Sequence, residues 1–455
     1  MEITVGTLNS HIKTDNPDLL KAMYEYFSFK KPGAEHSPAY KRRHWDGKIH
    51  FITKAGKFKT GMLYKVQEAL EKIECVPEIK DKREFNTDLL PWEIEGTQLY
   101  DYQETLVSTA LEQKRGIIQS PTGSGKTIIL ASLIKALEGR KMVVLFTSKQ
   151  ILKQTYEFLT TVGKFDSIGI CFGEGYIYGD IMLSTVQSIE RILDTHLETA
   201  EVLLVDEVHE FANGEKTVAA IQSFPEAVYR FGMTATPPRE NIPAHNLAGA
   251  FGPTITARNT SELIEDGKLT KPIIQLIDRT YDASGKDEDM SYLDVYDEYI
   301  VHNDKRNNQI KQIVEAITES NERPRILILT KSLAHGRTLE KLLGDKCEFL
   351  EGANNLSERY ESIHRFTTDD GPRILIGTKI LQTGVNIEEV SHFINARGMK
   401  SEIATIQALG RALRKHHSKE VVYVYDFMDK EKYLEGHAKQ RERHYKREGH
   451  EVKKL

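Results

Sequence analysis

From Arg115 onward, short apolar runs alternate with amphipathic stretches in the rhythm of strands and helices wound into a parallel sheet. The runs Arg115–Ser120, Met142–Thr147, Asp180–Ser184, Val202–Asp206 and Tyr229–Met233 are predicted strands. Lys126–Leu137 is a predicted helix, because Ile129, Leu133 and Leu137 fall on one face. The rhythm restarts with Arg325–Leu329, Ile374–Gly377, His392–Asn395 and Val421–Asp426. Two α/β units in series are therefore expected, at 91–270 and 271–428. Residues 1–90, which mix short strand-like runs with a helical stretch at Met62–Ile73, form a small α+β domain ahead of them. Tyr281–Asp304 is rich in Asp and Glu and weakly periodic, and reads as a solvated excursion. Residues 429–455 form a charged, basic helical tail.

Composition narrows the class. Of 455 residues, 39% are hydrophobic and 28% charged, as in ordinary globular chains. No run reaches the roughly 20 apolar residues of a membrane span. The first residues lack the basic-then-apolar layout of a secretory leader. Cys75, Cys171 and Cys347 are three widely spaced residues, which fits neither a zinc cluster nor a disulfide framework. A reducing cytoplasm is expected. The net charge of −5 hides a local excess: Lys30–Lys65 holds ten Lys/Arg against Glu35 and Asp46. A basic segment on an otherwise acidic chain points to a polyanionic partner.

Two motifs carry chemistry. Ser120-Pro-Thr-Gly-Ser-Gly-Lys-Thr127 follows an apolar run and opens a helical one, the context of a phosphate-binding loop. Thr122, Gly123, Ser124 and Gly125 would wrap the backbone around phosphates, with the positive end of the helix behind them. Lys126 would reach the β- and γ-phosphates of ATP, and Thr127 would hold Mg²⁺. The motif opens on Ser120 where the general pattern has Gly. Val202-Leu-Leu-Val-Asp-Glu-Val-His209 ends a strand in two carboxylates, at the end of a parallel strand that faces a ligand crevice. Asp206 suits the metal and Glu207 the attacking water.

Taken with Thr234-Ala-Thr236 and Gln407-Ala-Leu-Gly-Arg-Ala-Leu-Arg414, these runs resemble motifs I, II, III and VI of superfamily 2 helicases. Val144–Ser148, Ser184–Gln187, Ile326–Thr330 and Ile376–Asn386 resemble motifs Ia, Ib, IV and V, in the same order. The resemblance spans residues 97–427 and implies two RecA-like domains. It implies that Arg411 and Arg414 act as arginine fingers, whose planar guanidinium groups stabilise charge developing on the γ-phosphate. Gln407 would sense the nucleotide. His209, Thr234, Thr236 and Gly384 would couple hydrolysis to movement. Gln103, in Leu99-Tyr-Asp-Tyr-Gln103, resembles the adenine-reading glutamine. Tyr100 stands where many relatives have Arg, and Asn386 where Asp is frequent.

By the same resemblance, Thr147, Ser148, Thr185, Gln187, Thr330, Lys331, Thr378 and Lys379 would hold the sugar–phosphate backbone, fixing register without reading sequence. Lys41-Arg-Arg-His-Trp45 sets three cations, Lys41, Arg42 and Arg43, beside Trp45, with Trp-Asp-Gly-Lys as a turn into a strand. It reads as a duplex- or junction-binding hairpin, or as a solvated charged face. This segment and the tail His437–Arg447 resemble the UvsW-like phage helicases. The tail could equally be a helix docked on the second unit. That group implies a monomeric branched-DNA motor working beside replication or recombination proteins in a host cytoplasm. The rival readings are an RNA helicase, a restriction-type duplex translocase and a non-enzymatic nucleic-acid binder. Intact Lys126, Asp206, Glu207, Arg411 and Arg414 weigh against the last, and no second carboxylate cluster suggests a nuclease.

Overall fold

The computed structural model describes the whole chain except residues 279–288, 321–322, 352–355, 369–372, 379–386, 388, 401–408, 411 and 417–418. The chain divides into one compact unit of Met1–Ser120 with Gly125–Ala257, and a second of Arg258–Leu455 with Pro121–Ser124.

The first unit holds an eight-stranded sheet. Across it run Gly175–Ile177, Ile168–Phe172, Ile181–Thr185, Met142–Phe146, Val202–Val205, Tyr229–Thr234, Arg115–Gln119 and Thr254–Thr256. Every neighbouring pair is parallel except the hairpin Ile168–Phe172 with Gly175–Ile177. Met142–Phe146 and Val202–Val205 are buried along their full length, as expected for strands covered on both faces. Parallel pairing brings the C-terminal ends of Arg115–Gln119, Val202–Val205 and Tyr229–Thr234 to one edge, so motifs I, II and III emerge side by side.

Residues 2–81 form a separate layer of this unit. Its sheet runs Lys57–Lys59, Asn9–Lys13, Glu2–Val5, Glu78–Asp81 and closes on the helix Leu63–Glu71 through Ile3, Val5, Ile12, Phe58 and Val66. Gly61 seats this layer on the helix Asn241–Phe251, where a Cβ would fall inside the Ala248 carbonyl. His245 of that helix packs within 4.6 Å of the Phe29 ring and 5.0 Å of Phe51. Beneath, the buried Arg230 guanidinium donates to the carbonyls of Ala250, Ser223, Phe224 and Ile221. These hydrogen-bond partners are neutral carbonyls, and burial lowers its pKa to about 9.

The second unit carries a seven-stranded, wholly parallel sheet in the order Cys347–Leu350, Ile374–Gly377, Ile326–Leu329, His392–Asn395, Val421–Met428, Lys271–Asp278, Glu451–Lys454. The fold is α/β: two RecA-like parallel-sheet domains in tandem, with a small α+β domain at the N-terminus.

Two sequence expectations change here. The described part of the acidic stretch is not a solvated excursion. Tyr292–Tyr296 is a helix running into a π-turn at Asp297–Val301, and Val295, Tyr296, Tyr299, Ile300 and Val301 are buried with Leu434. Its acids occupy the outward positions, which masked an apolar stripe three and four residues apart. Nor is the tail only helical. After the helix Leu434–Arg447, Glu451–Lys454 joins the sheet as an edge strand beside Lys271–Asp278.

The tail helix is locked by charge. Asp426, buried near the end of its strand, accepts hydrogen bonds from Arg441 Nε at 3.0 Å, Tyr445 Oη at 2.7 Å and Asn395 Nδ2 at 2.9 Å. Arg441 also donates to the carbonyls of Met399 and Phe427. Removing one partner of such a pair leaves an uncompensated buried charge. Arg441→Ala is therefore expected to destabilise the second unit by about 3–5 kcal/mol, read as a lower urea midpoint. An exposed ion pair such as Lys439–Glu435 should move it by well under 1 kcal/mol when broken.

Candidate nucleotide site and nucleic-acid surface

The phosphate loop is built by local backbone preference. Gly123 and Gly125 take φ of 86° and 81°, a region closed to most side chains, and Gly125 leads directly into the helix Lys126–Ala136. Ile128 N–H and Ile129 N–H already bond to the Gly125 carbonyl, starting the helix. A side chain at Gly125 would collide with the amide of Gln103. Gln103 is buried and accepts the Tyr100 N–H through Oε1 at 2.9 Å, closing a capping box on the helix Asp101–Gln113. The candidate adenine reader thus lies against the phosphate loop, with Tyr100 46% exposed beside it.

Lys126 Nζ stands 3.7 Å from Glu207 Oε1 at the mouth of the crevice. Asp206 and Glu207 follow Val202–Val205, and the Glu207 N–H donates to Asp206 Oδ1 at 2.9 Å. Glu207 adopts φ 46° and ψ 49°, a left-handed backbone unusual for a non-glycine residue. Such strain persists only where the surroundings impose it, and it turns two successive carboxylates to the same edge. Desolvation, then repulsion from Glu207, raises the Asp206 pKa, and Lys126 only partly offsets them. Glu207 Oε2 is buried without a hydrogen-bond partner. Two adjacent carboxyl groups, one with a buried oxygen that takes part in no hydrogen bond, beside a lysine are a donor set that fits a divalent cation carrying phosphate oxygens. Thr127 is exposed at the first turn of the same helix.

Motifs II and III are joined by one hydrogen bond. His209 Nδ1 lies 2.8 Å from Thr234 Oγ1, and that oxygen also accepts the Thr236 N–H at 3.1 Å. His209 Nδ1 is also 3.5 Å from Glu207 Oε2. Asp206, Glu207, His209 and Thr234 therefore form one chain of contacts. Thr236 is buried next to it.

The candidate strand-binding residues are distributed unevenly. In the first unit, Thr147 and Ser148 are half-buried, and Ser148 caps the helix Lys149–Thr161. Thr185 is buried, with its hydroxyl donated to Ser188, while Gln187 is exposed. In the second, Thr330 is interior and donates to the Ser332 carbonyl, Lys331 is exposed and Thr378 half-buried. Arg414 bridges to Leu269, and its carbonyl accepts the Thr270 hydroxyl at 3.1 Å. Lys379, Gly384, Asn386, Gln407 and Arg411 lie outside the described residues.

In the N-terminal layer, Lys41, Arg42 and Arg43 are exposed and Trp45 is half-buried, its indole N–H donated to the Lys48 carbonyl at 2.8 Å. Gly47, at φ 78°, makes the expected turn into the strand Lys48–His50. A cleft of about 510 Å³ opens among Tyr40, Lys41, Arg43, His44 and Trp45. Arg43 holds φ 57° within it. Sequence reading missed Tyr40, although an aromatic residue directly before the basic run was the available signal.

Among the described residues, no helix is long and apolar enough to cross a membrane. Three family models match in order: "DNA helicase UvsW, N-terminal" over 8–75, "Type III restriction enzyme, res subunit" over 96–239 and "Helicase conserved C-terminal domain" over 299–416. The ATP-dependent DNA helicase uvsW of Enterobacteria phage T4 is 23% identical over 453 residues, covering 92% of this chain and 89% of that protein. The DNA 3'-5' translocase XPB2 of Sulfurisphaera tokodaii is 24% identical over 366 residues, 72% of this chain and 82% of that protein. Among solved structures, T4 UvsW aligns over 100% of this chain and 99% of that one, at TM-score 0.50 and 20% identity. A fragment of a type I restriction HsdR subunit from Vibrio vulnificus YJ016 aligns at TM-score 0.61 and 15% identity, over 93% and 82%. With the phosphate loop, the DEVH acids and both lobe models present in order, the chain belongs to the superfamily 2 helicases, as an ATP-hydrolysing member carrying a UvsW-type N-terminal domain.

Proposed function

We propose that this helicase is a DNA motor that remodels branched substrates: it migrates junctions, regresses forks and dissociates R-loops. The observation that carries the motor chemistry is the Lys126–Glu207 approach beside Asp206, continued through His209 to Thr234. Lys126 would bind the transferred phosphate, and Glu207 would orient and deprotonate the attacking water. Mg²⁺, held by Thr127 and Asp206, would neutralise charge on the phosphate oxygens. Arg411, Arg414 and Gln407 are proposed to complete the pocket from the second unit. The contact of His209 with Thr234 offers a path by which a change at Glu207 reaches motif III, with Thr236 and Gly384 in the same coupling role.

DNA is favoured over RNA by the likeness of the N-terminal layer to the DNA helicase UvsW N-terminal family and of the chain to a DNA helicase. Exposed cations and a half-buried indole in that layer offer phosphate contacts and a stacking face together. Thr147, Ser148, Thr185, Gln187, Thr330, Lys331, Thr378 and Lys379 are proposed to carry the strand across both units. Branch migration suits such a motor energetically. Opening a duplex costs about 1.4 kcal/mol per step, whereas migration breaks one pair as another forms.

Lys126→Ala should abolish ATP turnover, and Glu207→Gln should lower kcat by about 10²–10⁴-fold while ATP binding persists. Turnover by Lys126→Ala at the native rate would remove the site assignment. Four-way junctions, forks and R-loops should stimulate hydrolysis more than blunt duplex, single strands or RNA duplex, and binding should weaken steeply with added salt. Equal stimulation by all of them argues for a generic translocase. A third expectation concerns Asp206. Its folded pKa, raised to about 7, exceeds the unfolded value, so the folded state holds the extra proton. Without Mg²⁺ or nucleotide, stability should fall as pH rises from about 4 through about 7. Asp206→Asn should flatten that fall and melt higher than the native chain at pH above 7, while losing hydrolysis. Identical pH profiles in thermal melts would contradict the assignment.

A further inference from the structure

The reclassified acidic stretch and the start of the tail helix meet at one surface of the second unit. Tyr292, partly buried, lies edge-on to Tyr433 at 6.0 Å and to the His437 ring at 5.4 Å. Tyr433 is 43% exposed and Leu293 beside it 70%. Tyr433 also holds φ 66°, ψ −43°, a costly backbone for a tyrosine, immediately before the helix Leu434–Arg447. The backbone there closes a γ-turn, with the Leu434 N–H donating to the Lys432 carbonyl at 2.8 Å. That turn sends Leu434 into the core and leaves the Tyr433 ring outward.

Cations surround the rings. Lys331 Nζ sits 4.4 Å over Tyr296 and 4.9 Å over Tyr292, and donates to the Tyr292 hydroxyl at 3.3 Å. Lys432 Nζ lies 5.0 Å over Tyr433. His437 Nδ1 lies 3.3 Å from the Gly398 carbonyl, which holds its ring beside Tyr292. Acids around it have partners of their own: Asp294 with Ser291, Asp297 near His302, Glu435 with Lys439 and Asp429 with Arg306. Lys331 lies two residues past the strand Ile326–Leu329, at the C-terminal edge of the sheet, where a nucleic-acid strand is proposed to cross.

We propose that Tyr292, Tyr433 and His437, flanked by Lys331 and Lys432, form a stacking platform for unpaired bases of a DNA strand. Aromatic faces accept any base, and the ammonium groups meet the phosphates between them. This rests on the motor reading above and adds where one strand is held apart from its complement.

Stacking one base is worth roughly 5- to 150-fold in affinity. Tyr433→Ala in the full chain should weaken binding of a fluorescein-labelled oligothymidylate by an amount in that range, read by anisotropy without nucleotide. Tyr433→Phe should restore it, and blunt-duplex affinity should fall far less. In case Tyr433→Ala misfolds, a 5-iodouracil oligonucleotide irradiated with the native chain should crosslink within residues 289–301 or 430–437. Native affinity in Tyr433→Ala, or crosslinks confined to other segments, overturns the platform. If DNA still stimulates the native ATPase in that case, only the platform falls. If DNA-stimulated hydrolysis survives Lys126→Ala, the motor assignment itself falls.

Discussion

The structure of the first unit is organised around a crowding of charge at the end of a parallel sheet. Asp206 and Glu207 are carried there by an apolar strand that cannot end elsewhere without exposing Val202–Val205. Two adjacent carboxylates in a place poor in water repel each other, and Lys126 and the Glu207 N–H offset this only in part. A divalent cation held between the two carboxylates would relieve that repulsion. Any change of charge at these strand ends would be passed on through the contact of His209 with Thr234.

The same logic explains which parts of the fold were legible. Fully buried strands such as Met142–Phe146 and Ile374–Gly377 read as continuous apolar runs, and they stand within a residue of where the sequence set them. Edge strands did not. Thr254–Thr256 is three residues long, and Glu451–Lys454 is exposed along most of its length, so neither carries an apolar signature. Their pairing is fixed by the sheet beside them. Tyr292–Val301 failed for a different reason: acids on its outer face outweighed an apolar stripe whose partner, Leu434, lies far along the chain.

Motif chemistry was legible because it is local. A phosphate loop declares itself within eight residues, since glycine geometry, lysine and helix start are all contiguous. The left-handed backbone of Glu207 was not legible, nor was the contact between His209 and Thr234, which spans 25 residues. Likewise, the cations of Lys41–Arg43 were visible as composition, but the cleft that Lys41 and Arg43 share with Tyr40 depends on the turn at Gly47.

Rigidity is placed where force has to pass. The N-terminal layer is not tethered by a bare linker: Gly61 admits no side chain against Ala248, and His245 fills a pocket of phenylalanines. The tail helix is held by a buried carboxylate with three donors, which also ties Asn395 to the strand Val421–Met428. Buried polar networks of this kind are directional, and a helix secured by one cannot slide to a neighbouring register as a purely apolar helix can. A stacking residue set at the first turn of such a helix, as Tyr433 is, inherits that fixed position. The γ-turn at Tyr433, closed by the Leu434 N–H on the Lys432 carbonyl, leads the chain directly into that fixed helix.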